Sequence, residues 1–202
     1  MRFGKDLDNK PIISVSDGKI LGRTKDLYVN QELTQLAGLY LGSEGVIRRT
    51  DKIISTENIN LFGIDVILVK APDVISTTKA IPESDKWHRL SDLQGKEAST
   101  PGGTKLATID DVLLDEQGAI SGFSLSRVFV SGPLADRPFI PREVVVDAFQ
   151  GGDTLLVDFP QLEAIYTEPG PEKDPPDLDS SSPETANEES QQKVAVEEEE
   201  EK

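Results

Sequence analysis

The chain of 202 residues has one histidine, His88, and no cysteine. A structural zinc site takes four ligands, usually thiolates and imidazoles, so His88 alone is a poor start for one. Asp110, Asp111, Asp115 and Glu116 are close in sequence. They lack the alternating spacing of a calcium loop and read as solvated carboxylates on a strand and a turn. Gly102-Gly103-Thr104-Lys105 looks like a fragment of a phosphate loop. No helical periodicity follows it, and a glycine pair of this kind suits a hairpin turn. The H-E-x-x-H, G-x-S-x-G and complete P-loop patterns are absent. These residue types offer no nucleophile–base set, so we expect no catalytic residue, metal or cofactor. Trp87-His88-Arg89 carries the only tryptophan. Large aromatics dominate both domain junctions and partner contacts, so Trp87 either packs over a junction or anchors a partner. Trp87, His88 and Arg89, with Arg127 on an outward-pointing strand position, form the candidate partner-binding set.

The elements that would position these residues centre on residues 17–29. Asp17-Gly18 favours the positive φ of a two-residue hairpin turn. Gly22 lies inside the following strand, where glycine marks a bulge or sharp bend. The apolar phase also shifts, from Ile20 on even numbers to Leu27 and Val29 on odd ones. Together these predict one long, bent strand. Residues 102–114 repeat this outline 85 positions later. Residues 6–10 answer to 92–96, 37–41 to 121–125, 54–59 to 140–145, and 63–69 more loosely to 152–157. Five blocks in one order at a near-constant offset predict an internal duplication. Ile120 to Val130 is the most strand-like segment, reached through a turn at residues 115–118. Val46-Ile47-Arg48 is read as a strand, residues 71–86 as a linker with Pro72 and Pro82, and residues 161–166 as a final strand or helical turn.

These blocks resemble the PRC-barrel family, which includes the cytoplasmic domain of the photosynthetic reaction centre H subunit and the C-terminal domain of the ribosome maturation factor RimM. The resemblance rests on Asp17-Gly18-Lys19-Ile20-Leu21-Gly22 and residues 63–69 in the first copy. In the second it rests on Ile140-Pro141-Arg142-Glu143-Val144-Val145 and residues 152–157. It covers residues 1–165, with Ala107 in place of a glycine in the second copy and Ser55 in place of a proline in the first. It implies an all-β fold: two tandem small β-barrels, residues 1–70 and 87–167, and a disordered acidic C-terminal tail.

The net charge of −16 is uneven. Residues 168–202 hold 13 acidic and 3 basic side chains, a balance of −10, leaving −6 for the rest. That tail is rich in proline and serine, with too few large apolar side chains to offset the entropy of ordering. Nothing basic enough for nucleic acid stands out. The longest apolar run, Val66-Ile67-Leu68-Val69, is far short of a membrane span of ~20 residues. The expected function is a non-enzymatic protein-binding or assembly module docking on a larger complex. The resemblance implies a membrane-bound photosynthetic complex as partner and a cytoplasmic, peripheral location. Ribosome maturation and a small-ligand carrier or enzyme using an inter-barrel cleft are the alternatives.

Overall fold

Short turns rich in Asp, Asn and Gly cut the chain into brief strands. The computed structural model describes residues 1–45, 50–149 and 152–167. The expected strand at residues 46–48 and the tail expected to be disordered lie outside them. The first repeat opens with β1 (Arg2–Phe3) and a 3-10 turn, Gly4–Leu7. It continues through β2 (Pro11–Ser14), β3 (Ile20–Arg23), β4 (Asp26–Val29), β5 (Leu36–Glu44) and β6 (Thr50–Ser55). A 3-10 turn (Thr56–Asn58) then leads to β7 (Ile59–Phe62) and β8 (Ile67–Val69). Residues 71–86 contain three 3-10 turns and β9 (Ser76–Thr77), which pairs with β6. The second repeat runs β10 (His88–Arg89), α1 (Leu90–Leu93), β11 (Glu97–Ser99), β12 (Lys105–Leu114) and β13 (Ile120–Val128). It ends with α2 (Pro133–Asp136), β14 (Phe139–Pro141), the 3-10 turn Arg142–Val144, β15 (Val145–Ala148), β16 (Thr154–Val157) and α3 (Phe159–Thr167).

The duplication is visible in the strand order. The second repeat forms one sheet, β14-β13-β12-β11-β16-β15, with β1 added on β12. The first forms two, β10-β4-β5-β6-β9 and β3-β2-β8-β7. Joining β3 to β4 gives the order β6-β5-β4/β3-β2-β8-β7, the same path element for element. Each repeat has one parallel pair, β2 with β8 and β11 with β16, with Ile12 beside Ile67 and Ala98 beside Leu155, all four fully buried. The expected long bent strand is therefore two strands in the first repeat. Gly22, at φ +146°, and the Thr24-Lys25 step interrupt it, whereas β12 runs unbroken.

Among the described residues there are three sheets, and none of them closes into a barrel. The physical reason is the same in both repeats. The strands that would meet at the seam, β14 and β15 or β6 and β7, are consecutive in the chain. A 3-10 turn joins them where closure would need ladder hydrogen bonds.

The repeats contact each other reciprocally. β1 pairs with β12, Arg2 opposite Leu114 and Phe3 opposite Leu113. β10 pairs with β4, His88 opposite Val29 and Arg89 opposite Tyr28. Each two-residue strand thus lies on the other repeat. Asp111 Oδ2 accepts the Lys5 N–H at 3.0 Å, and its counterpart Asp26 accepts the Ser91 N–H and hydroxyl at 3.3 and 2.6 Å. Leu36 N–H donates to Gly118 O and Ile120 N–H to Thr34 O, both at 2.8 Å, around a single Gln35–Ala119 bridge. Such reciprocity is the signature of an isologous two-fold interface, here within one chain. One continuous hydrophobic cluster crosses it, from Leu7, Leu27 and Leu39 to Leu93, Val112 and Phe123.

Candidate functional site

Trp87, His88 and Arg89 come together at this internal interface. Arg89 lies with its guanidinium 3.8 Å from the Tyr40 ring centre and 5.7 Å from that of Tyr28. Its Nε is 3.5 Å from Asp26 Oδ2, near enough for ion pairing but making no hydrogen bond. Trp87 packs on Tyr28 with ring centres 6.0 Å apart, and its edge lies where a Cβ on Gly38 would come within 3.5 Å. Burial pushes the Tyr28 hydroxyl up to about 12. The His88 ring is 5.9 Å from Phe149, and burial, reinforced by nearby Lys96, lowers its pKa. Trp87 and Arg89 thus lay their side chains on β4 and β5, whereas His88 meets β4 through its strand pairing and turns its ring to Phe149 of its own repeat. Arg127 is in a different sheet, on β13 opposite Thr108; its side chain is exposed and makes no ion pair or hydrogen bond among the described residues.

The other sequence candidates take structural places. Gly103, at φ +86°, turns the chain between β11 and β12, with its N–H bonded to Thr100 O. Asp115 Oδ1 accepts the N–H groups of Gln117 and Ala119 at 2.8 Å and so shapes its own turn. Asp111 is fully buried, which raises its pKa, and it accepts the Lys5 N–H of the opposite repeat. Among the described residues no group of three or more His, Cys, Asp or Glu side chains is arranged to hold a metal.

A different surface sets the repeats apart. Alternate residues of β2, β7 and β8 face away from the core. Their register aligns Ile20, Ile13, Leu68 and Leu61 in one row across β3, β2, β8 and β7. Ile20 is 71% exposed and Leu61 54%, with Ile13 and Leu68 half-buried between them. Exposed Val15 and Ile64 flank the row. The matching row of the second repeat is Lys105, Ser99, Leu156 and Asp147. There Lys105 pairs with Glu97 and lies over the Phe129 ring. One fold therefore carries an aliphatic outer row in one copy and a mostly polar one in the other. Contiguous exposed apolar surface on a folded protein marks interaction sites more often than singly scattered side chains do.

Sequence reasoning did not find this row. Its signal was the apolar run of residues 66–69 and the Pro11-Ile12-Ile13 step, where both faces of a strand read apolar. Arg142 was missed too. Its Nε donates to Leu33 O at 2.8 Å and Nη2 donates to Glu32 O, tying the second repeat to the first. No family model and no curated protein matches the chain.

Proposed function

We propose that the chain is a non-enzymatic docking module, a tandem of two PRC-barrel-like repeats in which the outer sheet face of the first meets a protein partner. The contrast between Ile20-Ile13-Leu68-Leu61 and Lys105-Ser99-Leu156-Asp147 carries this reading. The duplicated strand order supports the tandem assignment. Lys10, Lys19, Arg23 and Lys70 flank the aliphatic face together with Asp17, Glu57 and Asp65. Such a near-balanced rim suits an aliphatic protein surface better than nucleic acid or an anionic bilayer, both of which call for a basic face. Among the described residues no helix is long and apolar enough to cross a membrane.

The resemblance points to a membrane-bound photosynthetic complex as the larger assembly, with the module peripheral to it; a ribosomal assembly intermediate is the competing partner. Capture of partners from cell extract tests the reading, with Ile20→Asp and Leu61→Asp beside a Lys105→Ala control. Partners retained by the control and lost by both aspartate variants are the expected result. Their identity separates the photosynthetic from the ribosomal assignment. Equal capture by all chains would overturn the assignment of the face.

A further inference from the structure

We infer that the open edge of β3 accepts an extended peptide as an added strand. The second repeat shows what completes this edge. There the first half of β12 pairs with the end of β13: Ala107 opposite Val128, Thr108 opposite Arg127, and the Phe129 N–H donating to Leu106 O at 2.8 Å. In the first repeat the equivalent of residues 106–108 is residues 21–23 of β3, and among the described residues β3 pairs with β2 alone. The equivalent of β13 is β5. A register shift between Tyr40 and Gly42, with Gly42 at φ +113°, accompanies its pairing onward with β6 rather than β3.

A depression of about 250 Å³ lies between the two, lined by Leu21, Gly22, Lys25, Leu41, Gly42 and Ile75, with Ser43 and the Glu44–Lys52 ion pair completing its wall. Apolar side chains, two glycines without side-chain bulk and an unpaired strand edge are what strand addition uses. Backbone hydrogen bonds supply affinity and alternate side-chain pockets supply selectivity. The Lys25 ammonium lies near Gly42 and has no ion-pair partner among the described residues. Arg23 ends the same strand. The ligand class is thus an extended segment with alternating aliphatic or aromatic residues and a carboxylate near its middle. The slot adjoins the aliphatic outer row at Ile20 on β3, while Leu61 lies on β7, at the far edge of the same sheet.

The probe is a blocked peptide copying residues 125–131 of this chain with Arg127→Glu, Leu-Ser-Glu-Val-Phe-Val-Ser, titrated into the full chain and followed by backbone amide NMR. Shifts are expected at residues 20–25 and 41–44. The unmodified Leu-Ser-Arg-Val-Phe-Val-Ser should bind more weakly, because its arginine would face Arg23. Methylating the backbone nitrogen of the phenylalanine should cost about tenfold or more in affinity, because one ladder bond is lost and the methyl meets the edge. The Leu61→Asp chain should bind the peptide as the parent does. No saturable shifts, equal affinity of the N-methylated peptide, or shifts confined to Ile13, Leu61 and Leu68 would overturn the inference.

Discussion

The two repeats lay down the same path of strands but meet solvent differently. In the second, β12 is unbroken, its edge is completed by β13, and the outer row carries lysine, serine and aspartate. In the first, the corresponding strand is split at Gly22 to Lys25, and the outer row is aliphatic. The buried rows of the two are alike, with Ile12 and Ile67 in one place and Ala98 and Leu155 in the other. Core packing thus accounts for the shared fold, while the differences lie at edges and outer faces, where packing sets little constraint. The polar row of the second repeat is itself only partly solvated: Lys105 is exposed, Leu156 and Asp147 are half-buried, and Ser99 is buried.

Gly122 and its counterpart Gly38 give the largest expected effect. Each sits where the neighbouring strand's carbonyl crowds the Cα. A Cβ on Gly122 would lie 2.4 Å from Ile140 O and 2.3 Å from Phe139 Cζ; on Gly38 it would lie 2.9 Å from Ile54 O. Gly122→Ala should destabilise by about 3 kcal/mol and Gly38→Ala by about half that, in line with core overpacking. Urea denaturation of both variants checks the order. Equal or inverted losses would mean that the repeats differ in packing more than their shared path suggests.

Asp111→Ala comes next. It leaves the Lys5 and Val112 N–H groups without their carboxylate, at a cost of about 2 kcal/mol. Asp111→Asn supplies the pH test. Burial raises the folded-state pKa of Asp111 above its ordinary value of 3.8. The unfolded chain therefore loses this proton first as pH rises, and the ionised group is the less favourable form in the folded state. Stability from the protonated carboxyl is full below pH 3.8 and is lost as pH climbs through the raised value. The stability of the parent relative to Asp111→Asn should fall over that window and level off above it. Denaturation curves at a series of pH values measure the difference, and a difference that grows with pH would contradict the assignment.

Much of this was legible in the sequence, for identifiable reasons. Duplication showed because turn residues recur: Gly18 and Gly103, Asn9 and Gly95 each take positive φ at matched places. The reciprocal exchange was hidden. β1 and β10 are two residues long, too short for periodicity, and their partners lie more than 50 residues away. Trp87, His88 and Arg89 stood out by residue type, yet what they touch depends on that exchange. Asp111 looked like a surface carboxylate beside Asp110; its role requires the Lys5 N–H, 106 residues distant. The aliphatic row was present as residue types, but only the register of four strands assembles it.

Replacing the outer row should have the smallest effect on stability and the most direct bearing on function. Ile13→Ser, Ile20→Lys and Leu61→Asp together give the first repeat the row of the second, Lys105-Ser99-Leu156-Asp147. Ile20 and Leu61 are more than half exposed, so their changes should move stability by less than about 0.5 kcal/mol each, with Ile13 adding a little more. Partner capture by this triple variant is the decisive measurement. A folded variant that no longer retains the partners held by the parent chain is the predicted result. A folded variant that retains them at parental levels would show that docking does not use this face.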